Sequence, residues 1–211
     1  MKIGILGSGI VAKTLGSGFL KYGHEVMLGS STPEKLADWV EEHQRSHAGA
    51  FADAAAFGEL LVLAVKGTAA VDVVRAAVPS NLNDKPVIDT TNPIADKPPV
   101  HGVLSYFTSL DESLMEQLQS EFPRARFVKA FSSAGNRLMV NPDFEAGKPT
   151  MFICGNDQDA KKMVTGILDQ FGWETADMGM AEAARAIEPL AMLWCIRGFL
   201  HNEWGHAFKF L

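Results

Sequence analysis

Residues Lys2 to Gly16, KIGILGSGIVAKTLG, read as a short apolar strand that turns through Gly7-Ser8-Gly9-Ile10-Val11-Ala12 directly into a helix. The first glycine permits the tight turn, the second lets a pyrophosphate approach the backbone, and Ala12 lets the helix lie close against the strand. The free N–H groups at the helix start then face an anion. A second strand, Glu25 to Leu28, follows at about the 20-residue spacing of a dinucleotide-binding βαβ unit. Gly7, Ser8, Gly9, Ile10 and Val11 are therefore expected against a diphosphate.

The end of the second strand indicates which dinucleotide. A site that prefers NAD places Asp or Glu there to bond the ribose 2′-hydroxyl, and that acid would repel a 2′-phosphate. Here the strand ends in Gly29-Ser30-Ser31-Thr32-Pro33-Glu34-Lys35. Ser30, Ser31 and Thr32 offer hydroxyls at a helix start marked by Pro33, and Lys35 offers an ammonium within one turn. The pattern points to NADP(H), although a Ser/Thr cap followed by a solvated lysine would look the same.

A chain of 211 residues suits one large α/β domain or one domain with an appendage. Apolar content of 47%, charged content of 21% and a net charge of -6 describe a globular protein and argue against a nucleic-acid groove or an anionic membrane surface. Met1 is followed directly by the first strand, so neither a signal nor a transit peptide is expected and the cytoplasm is the expected location. Cys154 and Cys195 lack metal-ligand spacing and read as buried free thiols. His43 and His47 are four apart at the polar end of a predicted helix, a weak metal signal, and no metal is expected.

Strand and helix signals alternate through most of the chain, the pattern of a doubly wound, mostly parallel sheet of Rossmann type with a C-terminal helical extension. The predicted order is a helix from Ile10 to Tyr22, the strand at Glu25, a helix from Pro33 to His43 and a short third strand marked by Phe51, with Asp53 to Phe57 as a crossover. Leu60 to Val65 is a buried central strand, followed by a helix from Thr68 to Val78 and the strand Pro86 to Thr90. A long loop from Asn92 to Ser109 precedes a helix at Ser113 to Glu121 and a strand at Arg126 to Phe131. Strand Thr150 to Cys154, helix Gln158 to Phe171, strand Trp173 to Ala176 and a long helix from Ala181 to His201 complete the chain. We divide it into a dinucleotide-binding domain over 1–131 and an extension over 132–211 that forms the acceptor side of the cleft.

Ligands of open α/β sheets bind beyond the carboxyl ends of the strands. That rule gathers the glycine turn, Ser30 to Lys35, Val65-Lys66-Gly67, Asn92-Pro93 and Ser132-Ser133-Ala134 onto one rim. Val65, Lys66 and Gly67 are expected beside a ribose or the diphosphate, Asn92 and Pro93 beside the nicotinamide, and Ser132, Ser133 and Ala134 on the opposite lip, against a second substrate. Solvated loop lysine and plain Asn-Pro turn chemistry are the bland alternatives. No side chain stands out as a catalytic proton donor; His101 is the best candidate. Arg185 and Glu188 are expected to pair with each other on the last helix.

Together KIGILGSGIVAKTLGSGF, GHEVMLGSSTPEK, FVKAFSSAG, FICGNDQDAKK, IEPLAMLW and the final AFKFL resemble the NADPH-dependent deazaflavin (coenzyme F420) reductase family over essentially the whole chain. A related domain occurs in six-transmembrane metalloreductases. The resemblance implies NADP contacts at Ser30, Ser31 and Lys35, with Ser8 and Ile10 in the turn. Family members that use the deazaflavin commonly carry Arg where Ser31 stands, and the archaeal members, similar around Phe131-Ser132-Ser133, carry His where Ser132 stands and a bulkier apolar residue at Ala134, both near the deazaflavin. The leading expectation is hydride transfer between NADP(H) and a flavin-like acceptor, deazaflavin or flavin. An NADPH-dependent reductase of a small imine or carbonyl, or an NADP(H)-binding module without turnover, are the alternatives. The last helix is apolar nearly all round through Leu190, Leu193, Trp194, Ile196, Phe199 and Leu200 and must bury against its own sheet or a second subunit, so a homodimer is expected.

Overall fold

The computed structural model describes residues 1–211. Its first half contains β1 (Lys2–Leu6), α1 (Ile10–Lys21), β2 (Glu25–Gly29), α2 (Ala37–Glu42), β3 (Ser46–Gly49), α3 (Phe51–Phe57), β4 (Leu60–Leu63), α4 (Ala70–Ala76) and β5 (Pro86–Asp89). The second half adds α5 (Leu114–Glu121), β6 (Arg126–Lys129), β7 (Thr150–Gly155), α6 (Gln158–Gln170), β8 (Glu174–Asp177) and α7 (Ala184–His201). All eight strands join one sheet in the order β3-β2-β1-β4-β5-β6-β7-β8. Every pairing is parallel except β6 with β7. This is the doubly wound, Rossmann-type α/β architecture, with the order reversing between β1 and β4.

Helices cover both faces, which is why Leu60, Leu61, Val62 and Leu63 of β4 are all buried. Alternate residues feed two cores: Ile3, Ile5, Val62 and Val128 pack with Leu15 and Phe19 of α1 and Val164 of α6. Leu61, Leu63 and Phe127 pack on the other face with Val74, Leu118 and Ile187. The core of the first face also takes in Met151 and Ile153 of β7, so strands from both halves share it.

The third strand is not at Phe51. It is Ser46–Gly49, paired with β2, and Phe51–Phe57 is a helix. Two local features decide this. Arg45 takes a left-handed φ of 64° that turns the chain out of α2 early, and the Asp53 carboxylate accepts the Ala50 amide at 2.9 Å to start α3. His43 thereby lies just past α2, where it stacks on Trp39 and bonds Ser17, while His47 lies in β3 and pairs with Glu25.

Arg185 and Glu188 do not pair with each other. The Arg185 guanidinium grips Glu116 of α5 through Nε and Nη2, at 3.0 and 2.5 Å, and Glu188 turns inward. Glu116 also closes a capping box with Ser113, accepting the Ser113 amide at 2.8 Å while Ser113 Oγ accepts the Glu116 amide at 3.1 Å. The Arg185 hydrogen bonds, aided by Ser113 and opposed by burial, hold the Glu116 carboxyl down at about 2 from an ordinary 4.5. A carboxylate depressed in the folded state stabilises above its unfolded pKa and loses that contribution on acidification. Stability should therefore fall as pH drops from about 4.5 to about 2, and Glu116→Gln should remove that part of the slope. Urea melts at stepped pH measure it; an unchanged slope would refute the coupling.

Candidate functional site

The glycine turn is shaped by close approach. Gly7 has φ 150°, and a Cβ there would stand 2.2 Å from the Ala64 carbonyl oxygen. Gly9 differs: its backbone is ordinary and extended, and a Cβ would meet nothing within 4 Å. The space in front of it is open, as close approach by a ligand requires. No side chain caps α1 and no acid sits in its first turn, so its leading amides are left for an anion. Ser8 and Val11 are half-buried, and Ile10 is exposed on the first turn.

Ser30 is buried and holds the loop that follows β2. Its hydroxyl accepts the Thr32 amide at 3.1 Å and donates to Ser8 Oγ at 3.3 Å, tying the end of β2 to the glycine turn. Ser31 and Lys35 are exposed beside it, and the Lys35 ammonium has no protein partner. A 3₁₀ turn over Pro33–Leu36 presents them.

The other strand ends converge as the parallel topology requires. A Cβ on Gly67 would lie 2.0 Å from the Asn92 carbonyl oxygen, so these two loops touch backbone to backbone. Val65 is half-buried, Lys66 is exposed with Asp96 at 3.4 Å, and Pro93 is buried behind Asn92. Asn92 Nδ2 donates to the Ser132 carbonyl at 2.8 Å, joining the ends of β5 and β6. Ser132 and Ser133 are buried and Ala134 packs partly against the core. Asn92 Oδ1 and Ser132 Oγ are both buried without a hydrogen-bond partner, an uncommon state for polar atoms. His101, by contrast, stands at the exposed tip of a tight turn, with φ 50°, between the bridged residues Val100 and Val103.

Beneath this rim lies a charge network that the motifs did not announce. Lys129 Nζ is wholly buried, 2.7 Å from Asp89 Oδ2, 2.8 Å from Glu188 Oε1 and 2.9 Å from the Thr91 carbonyl. Burial pulls the ammonium down, but Asp89 and Glu188 outweigh it and the pKa stands raised. Asp89 Oδ1 accepts the Thr91 amide and hydroxyl at 2.9 and 2.7 Å, while Glu188 accepts the Leu114 and Met115 amides at 3.0 and 3.1 Å. Thr91, the residue before Asn92, is thus clamped from both sides. The available signal was a charge at the last position of each of two mostly apolar strands, Asp89 in PVID and Lys129 in RFVK. Nearby, burial pushes the Cys154 thiol up to about 12 and keeps it protonated, and burial likewise raises the Tyr106 phenol, which donates to the Glu188 carbonyl at 2.7 Å.

A sequence profile of the family described as NADP oxidoreductase, coenzyme F420-dependent, matches residues 2–93. A crystal structure from Arthrobacter sp. FB24, described as a candidate F420-dependent NADP reductase, superposes with a TM-score of 0.94 and 32% identity, covering 100% of this chain and 99% of that one. The chain belongs to the coenzyme F420-dependent NADP oxidoreductase family. It is an NADP(H)-dependent oxidoreductase. Metalloreductase STEAP3 of Rattus norvegicus is 28% identical over 195 residues, 91% of this chain but 37% of that protein's length. An imine reductase from Aspergillus terreus shares the fold, with a TM-score of 0.69 at 20% identity, covering 95% of this chain and 63% of its own. No helix of this family member is long and apolar enough to cross a membrane.

Proposed function

We propose that this oxidoreductase passes hydride between NADPH and a planar flavin-like acceptor, a deazaflavin or a flavin. The observation that carries the reading is that Asn92 Oδ1 and Ser132 Oγ are both buried without a partner at the ends of β5 and β6, which the Asn92 Nδ2 bond to the Ser132 carbonyl joins. The carboxamide of a bound nicotinamide, entering as the rim opens around these enclosed atoms, would bring the donor and acceptor that satisfy both. The residues fit the dinucleotide elsewhere too: Gly7, Ser8, Gly9, Ile10 and Val11 leave amides and open space for the diphosphate. Val65, Lys66 and Gly67 border the ribose, Ser30 holds its loop in place, and Ser31 and Lys35 meet the 2′-phosphate.

NADPH, when bound, supplies the hydride. The chain's own contribution is positioning: Asn92 and Pro93 orient one face of the ring, and Ser132, Ser133 and Ala134 keep the opposite lip small and uncharged. A carbonyl or imine acceptor would also need a proton. Tyr106 is occupied by the Glu188 carbonyl and His101 stands on an exposed turn, so neither supplies one readily.

Oxidation of NADPH should therefore be measurable with a deazaflavin, FMN, FAD or riboflavin, and stay near background with ketones, aldehydes and cyclic imines. Turnover of a carbonyl or imine with silence toward every flavin would reverse the reading, and silence throughout despite tight NADPH binding would make the chain a binding module. NADPH should also bind at least about tenfold tighter than NADH, one charge-assisted contact being sufficient. Lys35→Ala should erase most of that preference and leave NADH affinity nearly unchanged, as titration of cofactor fluorescence would show.

Of the six apolar residues of α7 expected to be covered, only Trp194 is buried within the chain, while Leu193, Phe199 and Leu200 stay about half exposed, as do Val100 and Val103, and Leu200 lies against Gly102 of their turn. A second copy on this face would make a homodimer, and sedimentation of a monomer at micromolar concentration would remove it. The free thiols Cys154 and Cys195 accord with a reducing compartment such as the cytoplasm.

A further inference from the structure

Beyond the Ser132–Ala134 lip the chain borders a cleft of about 790 Å³, a size suited to a small-molecule ligand. One wall is Asn136, Arg137 and Leu138; the other is Trp194, Asn202 and Trp204. The aromatic wall is held by hydrogen bonds and ring contacts. Trp194 Nε1 donates to the His206 carbonyl at 2.7 Å, and His206 stacks on the same indole with centroids 5.1 Å apart. Trp204 lies against the backbone of α7, where a Cβ on Gly198 would come within 2.1 Å of its ring. Its indole N–H donates to Asn202 at 3.0 Å and Phe199 meets it edge-on, so its orientation is set while the ring stays 37% exposed. Such a prepositioned ring offers a stacking surface at little entropic cost.

The charge in the cleft is one-sided. Arg137 is exposed and its guanidinium has neither an ion pair nor a hydrogen bond, while no carboxylate lines the cleft. The adjacent acid, Glu203, is paired with Arg197. In a chain of net charge -6, an unpaired arginine beside two indoles marks a place for an anion attached to an aromatic ring. We infer that this cleft seats the acceptor's ring against Trp204 and that Arg137 selects acceptors bearing a phosphate on their side chain. The inference rests on the flavin-like reading above and adds to it a specificity residue.

FMN and riboflavin share a ring and differ in one phosphate, so they serve as the probes. Their emission is quenched when the ring contacts an indole, and titrating each with the full-length protein, with NADP⁺ present, reports binding without turnover. FMN should bind about tenfold tighter than riboflavin, as one charge-assisted contact allows. Arg137→Ala should bring FMN down to the riboflavin value, leave riboflavin and NADPH affinities unchanged and remove the salt dependence of FMN binding. Arg137→Lys should restore part of the preference, and Trp204→Leu should weaken both flavins and relieve the quenching. Equal affinity for the two flavins in the intact protein, an Arg137→Ala variant that still prefers FMN, or no binding of either flavin would each overturn the inference. Binding as described without NADPH oxidation would leave the cleft assignment standing and overturn the hydride-transfer reading instead.

Discussion

Replacing Lys129 by Ala is expected to destabilise the protein by roughly 3–5 kcal/mol, the cost of removing one partner from a buried charge network. Asp89 and Glu188, buried to within 2% of complete, would face each other across the vacated site without a cation. For a chain of this length that corresponds to a fall in Tm of about 6–20 °C. The combination Asp89→Asn, Lys129→Met and Glu188→Gln removes the charges together and should recover most of the loss, because neutral replacements escape the desolvation penalty. Calorimetry on the three singles and the combination gives the comparison. A Lys129→Ala protein within about 0.5 kcal/mol of the parent, the range of ordinary surface substitutions, would show that the network is not under load.

Gly9→Val is expected to abolish NADPH binding while leaving the fold intact. The first half of that expectation follows from the open space in front of Gly9, which the pyrophosphate needs and a valine side chain would occupy. The second follows from the same geometry, since no protein atom lies within 4 Å of a Cβ there and the backbone φ of -79° suits any residue. Gly7→Val is the contrasting control. With φ 150° and the Ala64 carbonyl 2.2 Å from a Cβ, it should fail to fold well rather than merely fail to bind. Circular dichroism alongside NADPH titration separates the two outcomes, and a Gly9→Val protein that still titrates would place the nucleotide elsewhere.

The parts of this protein that are legible in its sequence are local in origin. Strand, tight turn and helix at Lys2 to Gly16, the absence of an acid after Leu28, the buried run at Leu60 to Leu63 and the helix that starts at Ser113 are each written in neighbouring residues. Parallel winding then carries separate loops to one rim, so the strand ends alone group Asn92 with Ser132, which the fold joins by a 2.8 Å bond. The displaced third strand shows the limit even at short range: Ser46-His47-Ala48-Gly49 carries weak strand character, and only pairing with β2 at the sheet edge makes it one.

Long-range partnership lies beyond such patterns. Arg185 and Glu188 sit at a helical pair spacing, yet their nearest opposite charges come from Glu116 and Lys129, far away in sequence. Nothing in the order of residues states that Lys129, Asp89 and Glu188 share one buried point, or that Trp204 returns onto Gly198 to wall a cleft with Arg137. Backbone periodicity and turn chemistry act over a few residues and so settle the winding and the glycine turn from composition and spacing alone. Ion pairing and cleft shape depend on which surfaces meet after the sheet closes, and that is decided only when strands and helices distant in the chain have packed.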